Sequence, residues 1–428
     1  MYNIYIETYG CSANQNNSEI IAGILTRAGF NIIISEKDAD IAIINTCIVK
    51  GKTLQKMFSR IENVSRNKRV IVTGCMADIP SQVSRLKRLG KEISFVGSHH
   101  IKEIAKVVGN VIRGKEVELT RHKDEIKLCM PKIKANNVIG ITQILEGCLG
   151  NCTYCITRFA KGSLFSYPKE QIIINIKADL DGGCKEIWLT SQDNAAYGLD
   201  TEENEKLTDL LADILKIKGR FLIRLGMMNP NHVVPIIDKL IECYKDEKMF
   251  KFLHLPLQSG SDKVLKDMNR KYKVKDFVKI VSAFKAKFPD MMLGTDIICG
   301  YPTETSDDFR ETLELMNKIQ PDIINISRYW PMPGTPAALI KQLPDEEIMK
   351  RSNALSRMFT DLVSAKNKKF VGMNAECLVD KKGFENTWLC RDGNYRLVAV
   401  KSDGKILGKT ILVRLKKAMP HYLIGEII

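Results

Sequence analysis

Short apolar runs alternate with longer amphipathic segments through the first third of the chain. Residues 1–10, 40–46 and 69–74 read as strands, and 18–29 and 52–66 as helices. Ile41-Ala42-Ile43-Ile44 and Val70-Ile71-Val72 are apolar without a break, as parallel strands covered on both faces are. The pattern predicts an N-terminal α/β parallel-sheet domain, set at 1–125. A charge-rich stretch, 98–135, with Arg121-His122-Lys123-Asp124-Glu125 and Pro131, reads as a helix followed by a linker.

The run from Val138 to Leu145 predicts a further strand, after which strand and helix alternate. Strands are predicted at 186–191, 221–227, 252–257, 292–298 and 323–328, with helices at about 168–181, 204–216, 231–243, 274–288 and 305–319. Six strand–helix units predict a (β/α)6 partial TIM barrel over 135–340. Residues 341–370 carry a helical period and form a connector. From Gly372 the period switches to short alternating strands broken by Asp392-Gly393, Asp403-Gly404 and Gly408. Five such strands predict a C-terminal small β-barrel, 371–428. The fold class is therefore α/β multidomain.

The 428 residues are 44% hydrophobic and carry a formal net charge of +15, spread along the chain. That balance favours a polyanionic partner, nucleic acid above all, against the plainer reading of a solvated basic surface. Residues 1–10 lack the apolar core of a signal peptide, and no apolar stretch reaches membrane-spanning length. Twelve cysteines without an export signal point to a reducing compartment, the cytoplasm, and to no membrane partner.

Three of those cysteines lie within eight residues: Glu146-Gly147-Cys148-Leu149-Gly150-Asn151-Cys152-Thr153-Tyr154-Cys155. They occupy a loop leaving a predicted strand, and Gly147 and Gly150 permit the curvature that lets sulfurs converge. Three thiolates suit a [4Fe–4S] cubane with one iron left open. The other reading is a zinc site completed by a remote ligand, although only Cys152 and Cys155 have the usual pair spacing.

Three more cysteines each follow a predicted strand: Thr8-Tyr9-Gly10-Cys11, Asn45-Thr46-Cys47 and Thr73-Gly74-Cys75. Residues beyond the C-terminal ends of parallel strands gather in one crevice, so these thiols are expected to converge as a second triad. The alternative is three unrelated core cysteines. Cys129, Cys184, Cys243, Cys299, Cys377 and Cys390 have no motif around them, and buried packing is expected for each.

The Cys148/Cys152/Cys155 spacing with Tyr154 resembles the radical S-adenosylmethionine (SAM) signature. The N-terminal set (Thr8, Gly10, Cys11, Asn14, Ser18 and Glu19; Asn45, Thr46 and Cys47; Gly74 and Cys75) resembles the methylthiotransferase branch of that superfamily. Asn17 stands where that family usually has Asp. The segments Gln192 to Gly198, His254 to Ser261, Met268-Asn269-Arg270 and Thr295 to Ile298 are similar to methylthiotransferase segments, whereas Trp330 and Met332 replace a usual Ser and Arg. The C-terminal barrel resembles the TRAM domain, with Lys381, Lys382, Arg391, Arg396, Lys401, Lys405, Lys409, Arg414, Lys416 and Lys417 forming a basic surface that can track a phosphate backbone.

The resemblance implies two [4Fe–4S] clusters and S-adenosyl-L-methionine as cofactors. Cys148, Cys152 and Cys155 would hold the catalytic cluster whose open iron chelates SAM, and Cys11, Cys47 and Cys75 the auxiliary one that presents sulfur. Tyr154, Gln192, Asp193, Arg224, Gln258, Ser259 and Asp296 are the expected SAM-binding residues. The implied reaction turns an aromatic C–H into C–S–CH3. Residues 45–53 are most similar to the archaeal and eukaryotic branch, which acts on N6-threonylcarbamoyladenosine at tRNA position 37. Other branches act on isopentenyladenosine in tRNA or on a ribosomal-protein aspartate; outside the family, the readings are a zinc-stabilised RNA-binding protein and a non-catalytic iron–sulfur electron carrier. Implied partners are the tRNA anticodon stem-loop, an electron donor such as flavodoxin or ferredoxin, and a sulfur source.

Overall fold

The computed structural model describes residues 1–48, 51–203 and 205–428, with the side chains of 51 and 52 set aside. Val49 and Lys50, part of the segment likened to the archaeal and eukaryotic branch, therefore lie outside the described residues. The chain forms two compact units. One comprises Met1–Ala135, Ile141–Asn175 and Trp330–Thr335; the other comprises Asn136–Gly140, Ile176–Tyr329 and Pro336–Ile428.

The first unit is built on a parallel sheet of β1 (Asn3–Thr8), β2 (Asn31–Ile33), β3 (Ile41–Thr46), β4 (Arg69–Gly74), β5 (Ile93–Val96) and β6 (Glu118–Leu119), in the order β2-β1-β3-β4-β5-β6. Its main helices are α1 (Ser12–Arg27), α2 (Gly51–Ser65), α3 (Pro80–Lys87) and α4 (Ile104–Ile112). Every residue of β3 is buried, which accounts for its unbroken apolar run. Alternate side chains go to opposite faces. Ala42, Ile44, Val70 and Val72 pack with Met57 and Ile61 of α2 and Leu86 of α3, while Ile41, Ile43 and Ile71 pack with Ile20 and Leu25 of α1 and Val107 of α4. Each fully buried Ile, Leu, Val or Met contributes about 1.5–3 kcal/mol.

In this unit β2, β5, β6 and α3 are not among the elements expected from the sequence, and two of the expected segments differ as well. Helix α1 begins at Ser12, not at 18, because its opening turns bury Asn14, Asn16 and Asn17, polar residues that a hydrophobic period does not register. The segment 120–135 has little regular structure, yet it is not a loose linker. Pro131 lies against Gly23, where an added Cβ would meet its carbonyl oxygen at 2.2 Å, and Ile133 N–H donates to the Glu19 carbonyl at 2.9 Å. This unit also holds β8 (Leu145–Glu146), α5 (Thr157–Lys161) and β9 (Phe165–Ser166); β7 (Ile139–Gln143) and α6 (Lys169–Asp181) run from one unit into the other along the chain.

In the second unit, β10 (Glu186–Thr190) and β11 (Leu222–Leu225) pair in parallel, as do β12 (Phe252–His254), β13 (Met292–Cys299) and β14 (Ile323–Arg328). Val138 enters beside β10, accepting from Lys185 and Glu186 N–H, and Met228 N–H joins β11 to the His254 carbonyl of β12. Strands thus follow in chain order, as an open barrel requires. Between them lie α7 (Leu207–Leu215), α8 (Pro230–Val233), α9 (Ile237–Tyr244), α10 (Asp262–Asp267), α11 (Val274–Lys287) and α12 (Ser306–Ile319). The single helix expected at 231–243 is split by a 3-10 turn at Val234–Ile236, since Pro235 has no N–H to continue the ladder.

Helix α13 (Asp345–Lys368) fills the predicted connector and leads to β15 (Asn374–Lys382), β16 (Thr387–Asp392), β17 (Leu397–Lys401), β18 (Thr410–Ala418) and β19 (Leu423–Ile427). These five close into a barrel in the order β15-β16-β17-β19-β18. No cysteine is in a disulfide. Of the six expected to be packed away, Cys129 is exposed and Cys243 half-buried; Cys129 takes a left-handed φ of 56° while Asn175 Oδ1 holds its N–H. Among the described residues no helix is long and apolar enough to cross a membrane.

Candidate metal centre

The first triad is placed by strand register. Thr8 pairs with Asn45 and Thr46 with Gly74, so three neighbouring parallel strands end nearly in step, each leading into a cysteine. Cys11 is exposed, Cys47 half-buried and Cys75 buried, so the group is open from one side. Gly10, with φ 107°, passes so close to Cys47 that a Cβ there would lie 2.8 Å from the Cys47 Cβ and 3.1 Å from its Sγ. The turns are pinned by hydrogen bonds: Thr46 Oγ1 donates to the Thr73 carbonyl at 2.6 Å, and Cys75 N–H donates to the Thr46 carbonyl at 3.1 Å. Burial pushes the Cys75 thiol up to about 12, with Lys161 opposing. A positive group or metal is what would draw the thiolate out of such a site.

The second triad lies between β8 and α5. Gly147, φ 73°, is obligatory: a Cβ there would stand 1.7 Å from the Ser163 carbonyl oxygen. At Gly150 a Cβ would lie 3.2 Å from Cys148 Sγ and 3.7 Å from Cys152 Sγ, so these two sulfurs flank one glycine. Gly150 N–H donates to Cys148 Sγ at 3.2 Å, and Cys155 N–H to the Cys152 carbonyl at 3.1 Å. Burial raises the Cys155 thiol pKa, opposed by Thr157. Tyr154 is half-buried in the same loop.

Among the described residues no three His, Cys, Asp or Glu side chains are arranged to hold a metal ion as they stand. A cubane makes a different demand, because each thiolate binds its own iron. The three strand-end turns of the first triad and the signature loop of the second bring thiols alone, are curved by glycine and are pinned by hydrogen bonds, and so fit that demand in donor chemistry.

Beneath the loops lies a group that sequence reasoning missed. Lys127 Nζ meets Glu146 Oε1 at 2.6 Å and Lys161 Nζ meets the same oxygen at 3.3 Å, with all three side chains no more than 2% exposed. Burial pushes the Glu146 carboxyl up, but Lys127 and then Lys161 outweigh it and hold it well below the usual range. His99 lies 3.6 Å from Glu146, and its Nε2 is 3.2 Å from both the Ala160 carbonyl oxygen and His122 Nδ1; burial pushes its pKa down to about 3, so it is neutral. These residues are far apart in sequence and no spacing joins them, so only Glu146, next to the signature, carries a signal. Met332, which replaces a usual arginine, is buried in the apolar cluster that contains Cys75, Ile156 and Ala160, whereas Trp330 is exposed.

The remaining expected site residues belong to the second unit. Asp193 is fully buried, and its carboxylate accepts from Asn229 N–H at 2.9 Å, Asn229 Nδ2 at 2.7 Å and His232 Nδ1 at 2.6 Å, so it braces the loops. Gln192 differs, for its Oε1 is buried without a partner among the described residues. Gln258 adopts φ 76°, donating its N–H to the Asp296 carbonyl at 2.7 Å, and Ser259 is buried with its Oγ taken by Ser261 N–H. Asp296 joins His254 Nε2 at 2.9 Å and Asn325 Nδ2 at 2.8 Å in a row across β12, β13 and β14. Arg224 stands apart from these: its guanidinium faces Trp188, Phe252 and Tyr395 at 5.3–5.9 Å, on the C-terminal barrel side of β11.

Known proteins resemble this chain in sequence and in fold. Residues 3–97 match the uncharacterized protein family UPF0004, and residues 142–316 match the Radical SAM superfamily. The fold is shared with the radical SAM methyltransferase TsrM of Kitasatospora setae, at TM-score 0.58 and 11% identity over 79% of this chain and 75% of that one. It is also shared with the cobalamin-dependent radical SAM enzyme OxsB, at TM-score 0.51 and 12% identity over 83% and 56%. Fold and signature loop together define a radical SAM protein. Over its full length the chain is 40% identical to a probable threonylcarbamoyladenosine tRNA methylthiotransferase of Pyrococcus horikoshii, covering 100% of both. It is 34% identical to the human threonylcarbamoyladenosine tRNA methylthiotransferase, covering 99% of this chain and 73% of that one. The chain belongs to the radical SAM methylthiotransferase family, in the archaeal and eukaryotic threonylcarbamoyladenosine branch.

Proposed function

We propose that this chain methylthiolates N6-threonylcarbamoyladenosine next to the tRNA anticodon, giving the 2-methylthio derivative. The carrying observation is full-length similarity to enzymes of that name together with two separate thiol triads, one at parallel strand ends and one in the signature loop. Its cofactors are two [4Fe–4S] clusters and SAM. Cys148, Cys152 and Cys155 would hold one cluster, and Cys11, Cys47 and Cys75 the other. When bound, these groups supply hydrogen abstraction at an unreactive carbon, a sulfur and a methyl group.

The chain's own residues position and shield. Gly147 and Gly150 shape the loop, Asn14 and Thr46 pin the auxiliary strand ends, and the orphaned Gln192 Oε1 and the Asp296–His254 pair are the rim groups that fit polar atoms of SAM or substrate. The C-terminal barrel serves as the TRAM-like tRNA grip. Lys381, Lys382, Lys401, Lys405, Lys409, Arg414, Lys416 and Lys417 are exposed on it, whereas Arg396 is bound to Asp392 and half-buried Arg391 lies beside Asp380. Flavodoxin or ferredoxin as electron donor, a sulfur source and a cytoplasmic location complete the reading.

Anaerobic reconstitution followed by iron and sulfide analysis tests it. About eight irons per chain and 5′-deoxyadenosine on adding SAM and reductant are expected. One or two zinc ions with no cleavage would overturn it. In tRNA from a deletion strain, mass spectrometry should show loss of methylthio-threonylcarbamoyladenosine with methylthio-isopentenyladenosine untouched.

A further inference from the structure

We infer that Lys161 is the built-in counter-charge of the Cys11/Cys47/Cys75 site, held there by Glu146 from the loop that carries the other triad. This rests on the reading of those three cysteines as cluster ligands, and it gives Lys161 a positioning and electrostatic role that no spacing motif announces.

Charge is the first ground. Two ammonium groups, Lys127 and Lys161, are buried against one carboxylate, Glu146, and the neighbouring His99 is neutral. A buried surplus cation is expensive unless an anion faces it. Lys127 Nζ already sits 2.6 Å from Glu146 Oε1, so one ammonium matches the single carboxylate charge and the second is surplus.

Hydrogen bonding is the second. An ammonium has three N–H donors. Among the described residues Lys161 Nζ directs one of them to Glu146 Oε1 at 3.3 Å, and the others meet no protein acceptor. A fully buried ammonium with donors left over marks a place for an anionic group.

Location is the third. Ala160, the residue before Lys161, packs in the same apolar cluster as Cys75, Met76 and Ala77. The charges facing Lys161 are Glu146, Cys75, Asp78 and Cys11; burial opposes its charge, and these four together outweigh burial and hold it above the usual lysine range. Asp78 is engaged by Ser98 N–H through both oxygens at 3.0 Å. Lys127, in contrast, is pulled down by burial, and the main charges around it are Glu146, Lys161 and Glu125. Both lysines share the carboxylate, and Lys161 is the one whose main neighbouring charges include Cys75 and Cys11.

Three thiolates on an iron–sulfur core form an anionic assembly whose reduction potential depends on net charge and hydrogen bonds to sulfur. A fixed cation at this point favours the reduced, more negative state and favours retention of the thiolate-bound core.

The test uses the full-length chain with Cys148, Cys152 and Cys155 changed to Ala, so that only the N-terminal triad is loaded. Lys161→Met, Lys161→Arg and Lys127→Met are compared with it for iron and sulfide content, rate of iron loss to a chelator, and midpoint potential by EPR-monitored titration. Lys161→Met should lower the potential and speed iron loss several-fold, Lys161→Arg should restore both, and Lys127→Met should leave the potential in place. Lys161→Met leaves a balanced Lys127–Glu146 pair, so it should fold; Lys161→Gln, with donors but no charge, is read the same way if it does not. An unmoved potential in a loaded Lys161→Met protein, or an equal shift in Lys127→Met, overturns the inference alone. A parent that takes up no iron overturns the cluster assignment and the inference with it.

Discussion

Asn14 donates to the carbonyl of Thr46 at 2.8 Å, and its amide nitrogen also reaches the carbonyl of Tyr9 at 2.8 Å. One side chain in the first turn of α1 thus latches the turn before Cys11 to the strand end before Cys47. Asn14→Ala leaves buried carbonyls without a donor and should destabilise the fold by about 1–3 kcal/mol. Denaturant unfolding measures that loss, and reconstituted iron should fall toward half of the parent's as the N-terminal triad loosens.

The two triads should separate under mutation. Cys152→Ala is expected to abolish SAM cleavage, whereas Cys47→Ala should leave 5′-deoxyadenosine formation largely intact and stop sulfur insertion. Chromatography of both products from one reaction reads the two outcomes together. Product formation by Cys47→Ala at the parent's rate would show that the strand-end cysteines are not the sulfur site.

Glu186, fully buried at the start of β10, carries a pH signature. Burial first, then Asp380, pushes its carboxyl up from 4.5 to about 7. The folded chain therefore keeps a proton that the unfolded chain has released across this window. The stabilisation is full below about 4.5 and is lost as pH rises through about 7. Glu186→Gln keeps an acceptor for Trp188 Nε1 and removes the titration. Its stability relative to the parent should rise between those pH values by up to about 3 kcal/mol, seen in unfolding curves, and a flat difference would refute the assignment.

The exposed lysines of the C-terminal barrel should govern salt dependence. Replacing Lys381, Lys382, Lys401 and Lys405 by Ala should flatten the plot of log affinity for tRNA against log salt by roughly 0.7–0.9 for each phosphate no longer neutralised. Arg396→Ala should act mainly on stability, since that arginine is bound to Asp392 and to the Asp290 carbonyl. Filter binding over a salt series distinguishes the two.

Much of this molecule is readable in its residues. β3 and β4 announce themselves through apolar runs, and Cys47 and Cys75 are legible because each follows such a run directly. β5, four residues with a buried Ser94, and the two-residue β6 are too short for any period to show. The start of α1 is hidden because buried asparagines, not apolar residues, line its first turn. Asp193 and Arg224 stand out for polarity at strand ends, but polarity does not reveal whether a group faces an open site, a bracing hydrogen bond or a cage of rings. The Lys127–Glu146–Lys161 group is invisible for a related reason: its members meet only after the sheet and the signature loop have folded together.

Tyr395, left-handed at φ 73°, stacks its ring on Phe252 at 4.9 Å and meets Phe250 edge-on at the same separation, while Lys251 N–H donates to the Gly393 carbonyl. The C-terminal barrel is consequently a stopper for the strand–helix barrel. A shortened enzyme ending after α13 would bare two phenylalanines and the Arg224 guanidinium to water, and would be prone to clump. Trimming this protein to its strand–helix barrel would therefore uncover the floor where the strands begin, at the end opposite their C-terminal rim.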